Sequence, residues 1–337
     1  MTPLERDGFR IKTAEGLDWM AHGITAFSLV ADIRDGEKNR ADEYLQWAHE
    51  TLGVNIARQF NMWGNYNLSP TEVGYFDWLR DALEMVNRRG MWAWPVAYCD
   101  QVNGSSILLT QQQRRTYEAM LPQAYKDIAM LDEDMNEPWQ NGDFAGTLPK
   151  FGPCSTRGAA NDSQMPDAPG ALLDWTTHHT PRGSQQTRKF KEMIDVAKLG
   201  FTGWTPSGRP PVAGEPPRID QDDWTDPQRC ADYFAGCDLY GAGGVIHGGW
   251  GPDGDSTDLQ RCRIPTAPNA LACLDAIRQV WANGIPVGTF ADGSYLRGNA
   301  DNTGELGINH ADRYTDTGEN PAGALRTFAM QVGGRHG

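Results

Sequence analysis

Residues 53–98 read GVNIARQFNMWGNYNLSPTEVGYFDWLRDALEMVNRRGMWAWPVAY, and the architecture follows from this stretch. Gly53 closes a preceding helix, and Val54–Phe60 is an apolar run of strand length. Ser69, Pro70 and Glu72 then carry a helix-start signature: a capping hydroxyl, a proline in the first turn and a carboxylate able to reach back to the cap. Phe76, Leu79, Leu83 and Val86 recur at helical spacing until Gly90 stops them. Met91–Tyr98, with Trp92, Trp94 and Val96 on one side, reads as a second strand. Strand, helix and strand in this order are the unit of parallel α/β folds.

The unit repeats outward in both directions. Upstream stand a strand candidate at Ile24–Val30 and a helix at Asn39–Leu52 with Leu45, Ala48 and Leu52 on one stripe. Downstream, Thr110 and Gln113 form a second capping box for a helix running toward Tyr125, with Pro122 near its end. Ile128–Asn136, Leu172–His178, Pro211–Glu215 and the Gly-rich Gly243–Ile246 read as further strands. Helices are expected after Ser184, after Asp226-Pro227 and over Pro268–Trp281. With strands near residues 24, 54, 91, 128, 172, 211, 243 and 285 the count is eight. The expected fold is therefore α/β: a single-domain (β/α)8 TIM barrel over residues 1–291 with long loops, and a polar C-terminal extension, 292–337, packed on it. A doubly wound open sheet would need a Gly-rich phosphate loop after the first strand, and Ala31-Asp32-Ile33-Arg34-Asp35 is not one. Trp139–Gly170, rich in Gly, Pro and Asn, reads as a wall or lid of a site.

Composition limits the partners. The formal net charge of −14 is spread along the chain, which argues against nucleic acid, whose phosphates need clustered Lys and Arg. No run approaches the roughly 20 apolar residues of a membrane span. Met1–Arg10 has no apolar core region, so no secretory signal peptide is expected, and the location stays open between the cytoplasm and export or virion association by another route. Six cysteines are too few for a disulfide scaffold; Cys230/Cys237 and Cys262/Cys273 are near enough in sequence to pair, with thiols an equal reading. No cysteine and histidine spacing suits zinc, and Asp253–Asp258 lacks the spacing and distal Glu of a calcium loop, so neither metal nor cofactor is expected. The chain has 12 Trp, 10 Tyr and 11 Phe. Trp63, Trp139, Trp204, Trp224 and Trp250 lie beside Gly, Asn, Asp or other polar residues, where a ring can stack on a sugar face or simply pack a core.

Two Glu-Pro motifs, Met135-Asn136-Glu137-Pro138 and Ala213-Gly214-Glu215-Pro216, each end an apolar strand candidate. Two carboxylates delivered from strand ends into one cleft are the requirement of glycoside hydrolysis. Asp132, Glu133 and Asp134 compete for that role: alternation turns one or two of them into the interior, to tune a neighbour or to pair with Arg58. Arg58 sits among Val54, Ile56 and Phe60 and would fix a carboxylate's rotamer or close one end of the barrel as a structural ion pair. His178 and His179 point to opposite faces of a strand, so at most one faces a cleft.

These motifs, over residues 20–255, resemble the retaining glycoside hydrolases of clan A, family 5 cellulase and mannanase type, as a distant branch. The resemblance implies that Gly53–Arg58 is the second barrel strand, whose arginine supports the nucleophile. It implies that Asn136 binds a sugar 2-OH, Glu137 is the acid/base and Glu215 the nucleophile at the end of the seventh strand. His178 or His179 would lie near that nucleophile, and His247 and Trp250 would occupy the place of the eighth-strand platform. Trp63, Trp139 and Trp204 complete the expected saccharide contacts. The pattern alone makes the Glu215 strand sixth, whereas the resemblance needs a fifth strand inside Trp139–Gly170; the third strand ends in Ala97-Tyr98-Cys99-Asp100 without a histidine. The expected function is cofactor-free retaining hydrolysis of a neutral or weakly polar oligo- or polysaccharide by two glutamates. The alternative is a non-catalytic carbohydrate-binding or structural barrel in a larger assembly.

Overall fold

A computed structural model describes residues 3–7, 10–99, 109–136, 155–156, 159–161, 174–179, 211–216, 227–239, 243–247 and 261–283. Nine parallel strands form one sheet: β4 (His22–Thr25), β5 (Ile56–Phe60), β6 (Trp92–Tyr98), β7 (Asp132–Met135), β8 (Ser155–Thr156), β9 (Ala159–Asn161), β10 (Thr176–His179), β11 (Pro211–Glu215) and β12 (Gly244–Ile246). Their spatial order is β8-β7-β6-β5-β4-β12-β11-β10-β9. Every residue of β4, β5 and β7 is buried, as expected when both faces of a parallel sheet are covered.

Connectivity forces the sheet to curl. Its two edge strands, β8 and β9, are separated in the chain only by residues 157 and 158. Consecutive Cα atoms are 3.8 Å apart, so Thr156 and Ala159 stand at most about 11 Å from each other. In a flat sheet of this width the edges would lie about 38 Å apart at the usual strand spacing. The result is a rolled parallel sheet with helices around it.

Among the described residues the helices are α1 (Leu29–Arg34), α2 (Lys38–Leu52), α3 (Tyr75–Arg88), α4 (Gln111–Tyr125), α5 (Pro227–Leu239) and α6 (Pro268–Asn283). In α2 the expected stripe of Leu45, Ala48 and Leu52 is buried, and Gly53 ends the helix at φ 75°, a left-handed conformation that costs a residue without Cβ little. In α4 both halves of the capping box form: Thr110 Oγ1 accepts from the Gln113 amide and Gln113 Oε1 accepts from the Thr110 amide. A three-stranded antiparallel sheet, β1 (Leu4–Asp7), β2 (Arg10–Thr13) and β3 (Asp18–Trp19), precedes the main sheet. It contributes Leu4 and Ile11 to the core and sets Trp19 edge-on to Trp92, ring centroids 5.4 Å apart.

The structure corrects some of these expectations and decides between others. The run Ile24–Val30 is not one strand: β4 ends at Thr25 and Leu29 already belongs to α1, an uninterrupted apolar run that is buried in both halves and so hides the change. Ser69 does not cap α3, which begins at Tyr75 after a left-handed Gly74; Glu72 instead accepts from the Ser69 amide in a turn ahead of the helix. Strands do exist within Trp139–Gly170, as β8 and β9, so the Glu215 strand is not the sixth: seven strands of the sheet, β4 to β10, precede it. No strand near residue 285 stands between β12 and β4, because these two are hydrogen-bonded to each other. Cys237 and Cys262 are buried thiols, so neither short-range cysteine pairing is made. The helix expected after Ser184, residue 285 itself and the segment 292–337 lie outside the described residues.

Candidate active site

Arg58 is the centre of the site. It lies on β5, whose residues are all buried, and none of its surface is exposed. Its Nη1 donates to Glu215 Oε1 at 2.7 Å. Its Nε and Nη2 donate to Glu133 Oε2 and Oε1 at 3.0 and 3.1 Å, and Nη2 also donates to Asn136 Oδ1 at 2.8 Å. The guanidinium carbon lies 5.3 Å from the Phe27 ring centroid, 5.5 Å from that of Phe60 and 5.3 Å from that of Trp94. Burial would lower the arginine's pKa, but the charges of Glu133 and Glu215 outweigh it and hold it above its ordinary value. A buried cation with two carboxylates and an amide oxygen on its planar fork is fixed in one orientation.

Of the three acids on β7, Glu133 carries the ion pair with Arg58. Its carboxylate faces Arg58 and also accepts from Trp94 Nε1 at 2.8 Å, and it is fully buried. Asp132 and Asp134, one residue to either side, are buried too. Burial, and then the charge of Asp132, raise the pKa of Tyr125; burial is also the main cause that raises that of Tyr117, with Asp132 adding to it. Alternation along β7 thus divides the acids between two environments.

Asn136 follows the end of β7, and its amide donates to Tyr98 O at 2.8 Å, which extends the pairing with β6 by one residue. Glu215 is the last residue of β11, and the strands are parallel, so both lie at the carboxyl end of the sheet. Gly214 lets this end pack tightly: a Cβ there would lie 2.1 Å from Thr177 Oγ1 and 3.4 Å from Trp94 Cη2. A register shift between His178 and His179 sets the His179 backbone beside Glu215. His247, directly after β12, is buried with its ring 5.5 Å from Phe27. Trp63 is 6% exposed and edge-on to Phe60 at 5.2 Å and to Tyr66 at 4.8 Å, so its ring lies in an aromatic cluster over Phe27 and Phe60. Glu137, Trp139, Trp204, Trp224 and Trp250 lie outside the described residues, as do the side chains of His178 and His179.

Arg58, Asn136 and Glu215, far apart in sequence, therefore meet on one guanidinium. Two residues of this cluster were not among the expected contacts. Trp94 reads only as a core ring, although it supplies an N–H to Glu133 and its own ring meets Trp175 edge-on at 4.8 Å. Phe27 falls in an apolar run; its stacking on Phe60, 4.0 Å apart and 3° from parallel, has no local signal. Among the described residues no group of three or more His, Cys, Asp or Glu is arranged to hold a metal ion. Among them also, no helix is long and apolar enough to cross a membrane.

No protein-family model matches the chain, and no curated protein matches it in sequence. Solved structures do match in fold. A glycoside hydrolase family 5 structure from Bacteroides vulgatus superposes with a TM-score of 0.54 at 14% identity, covering 73% of this chain and 62% of that one. An endo-1,4-β-mannanase from Rhizomucor miehei gives 0.57 at 9% identity, covering 82% of this chain and 100% of that one. A family 5 mannosidase from the same organism gives 0.55 at 11% identity, with 82% and 97% covered. The chain spans 60%, 65% and 62% of the length of three matched chains, the family 5 structure from Bacteroides vulgatus being the third. At these identities the likeness is one of fold alone, a rolled parallel α/β sheet similar to that of family 5 glycoside hydrolases.

Proposed function

We propose that the rolled sheet closes as a (β/α)8 barrel in which residues 155–161 fill the fifth position, and that the chain is a retaining O-glycoside hydrolase. The barrel would take up residues 1–291, with 292–337 as an extension on it. The observation that carries the reading is the 2.7 Å bond from Arg58 to Glu215 at the carboxyl end of parallel strands, with Asn136 on the same guanidinium. That end is where barrel enzymes build their sites. Family 5 fold similarity supports it.

In this mechanism Glu215 attacks the anomeric carbon while Glu137, which directly follows Asn136, protonates the leaving oxygen. Glu137 then activates water against the glycosyl-enzyme, and no cofactor takes part. Arg58 holds Glu215 in one rotamer and favours its charged form. Asn136, held by Arg58, would present its amide N–H to a sugar 2-OH; His178 or His179 and His247 would line the cleft, and Trp63, Trp139, Trp204 and Trp250 would flank it. For retention the two carboxyl groups must lie about 5–5.5 Å apart. The substrate is a neutral or weakly polar saccharide, because a chain of charge −14 repels anionic ones.

A screen of neutral oligosaccharides, run on the protein and on Glu215→Gln, tests this. Hydrolysis with retained anomeric configuration that vanishes in the variant is expected; hydrolysis that persists in it refutes the assignment. The second reading, a binding protein that keeps the barrel, is favoured by the 7% exposure of the Glu215 side chain, which suits a structural ion pair. Saccharide binding without turnover in either protein would establish it.

A further inference from the structure

We infer that Glu133 is a positioning residue for Glu215: by occupying the Nε and Nη2 edge of Arg58 it leaves Nη1 to Glu215 and keeps the guanidinium's charge divided between two carboxylates. The inference rests on the proposed role of Glu215 and adds a residue to that site. Arg58 spends two N–H donors on Glu133, one on Asn136 and one on Glu215. Trp94 Nε1 donates to the same Glu133 Oε2 that accepts from Arg58 Nε, a second anchor that holds the carboxylate against the guanidinium. Arginine with one carboxylate strongly favours the charged, weakly basic form of that partner. A nucleophile needs the charge but also the basicity, and a second buried carboxylate on the same cation restores part of it by like-charge repulsion.

Four strands around Glu215 bring charged or titratable residues to this end of the sheet. β5 presents Arg58 and β7 presents Glu133. β10 carries His178 and His179, with the His179 backbone in register with Glu215, and His247 follows β12. Glu133 is the one described carboxylate that shares Arg58 with Glu215, so its charge is the one to remove. Asp132 and Asp134 both add to the raised pKa of Tyr125.

The test is the pH dependence of kcat/KM in wild type, Glu133→Asp and Glu133→Gln. Removing the charge hands Arg58 to Glu215, so the acid limb is expected to move to lower pH by about one unit or more in Glu133→Gln, with a lower plateau. Glu133→Asp withdraws the carboxylate by one methylene and is expected to move the limb in the same direction by less. It also decides the matter if Glu133→Gln fails to fold. A limb at the wild-type position in a folded variant, with only a lower Tm, overturns the inference and leaves Glu133 a structural partner. The same comparison made on the Glu215 side-chain carboxyl by 13C NMR, its resonance identified by its loss in Glu215→Gln, needs no turnover. A shifted Glu215 titration in a protein that hydrolyses nothing would sink the glycosidase reading and keep this one; an unshifted titration in an active enzyme would do the reverse.

Discussion

A Cβ built on Gly214 would stand 2.1 Å from Thr177 Oγ1, closer than such atoms ever approach. The residue before the proposed nucleophile is therefore fixed by its neighbour on β10, not by its own backbone angles. Thr177 is fully buried, and on its other flank Gly214 meets the edge of Trp94. Gly214→Ala is expected to cost about 1–3 kcal/mol by overpacking. Thr177→Ala removes the offending oxygen and should recover part of that loss in the double variant. Urea unfolding of the two single variants and the double one checks this: strictly additive losses would show that the two sites do not meet.

Removing the cation should be more damaging. Arg58→Met leaves Glu133 and Glu215 buried without their shared partner, and breaking a buried ion pair on one side costs about 3–5 kcal/mol. The deficit should narrow in acid, because two neutral carboxyls are easier to bury than two charged ones. Chemical denaturation of wild type and variant at neutral and acidic pH reads both effects. A deficit that is small, or that widens in acid, would mean the cluster is wetter than its burial indicates.

Much of this was legible. Pro211–Glu215 is bounded by its own prolines and is a strand over those residues, and the Thr110 box opens a helix where its side chains say it should. The strand order was not legible, because Ser155–Thr156 and Ala159–Asn161 are too short and too polar to show an apolar run. Their strand character comes from neighbours that sequence reading does not see. Nor does any local pattern tell that Glu133, 75 residues from Arg58, is the acid that turns inward. Alternation gives the parity of Asp132, Glu133 and Asp134 only once the sheet's inner face is known. The antiparallel sheet β1–β3 leaves no periodic signal because its strands are only four, four and two residues long.

Away from the site, Asp42 and Arg89 form an ion pair that links α2 to the residue after α3. The hydrogen bond from Arg89 is the main cause that lowers the Asp42 pKa below 3.8. A carboxylate depressed on folding stabilises the protein above its unfolded pKa and loses that contribution as pH falls through the folded value. Asp42 is 37% exposed, so solvent screens the pair and Asp42→Asn should cost only about 0.2–1 kcal/mol at pH 7. The two stabilities should converge in acid, once the pH has fallen through the lowered folded value. Thermal unfolding across this range tests it, and a difference that survives in strong acid would assign the effect to packing.

The two capping-box sequences give the last expectation, because the same motif does different things. At Thr110 the side chain accepts from the Gln113 amide at the first turn of α4, and the reciprocal bond is present. At Ser69 the hydroxyl accepts from the Thr71 amide at 3.2 Å inside a turn, and α3 begins only at Tyr75. Thr110→Ala therefore removes a true helix cap and should lower stability by about 1 kcal/mol. Ser69→Ala loses a turn contact near the surface and should stay within about 0.5 kcal/mol of wild type. Measured side by side in urea, equal losses would mean that Ser69 caps the helix after all, and that α3 begins where its sequence signature stands.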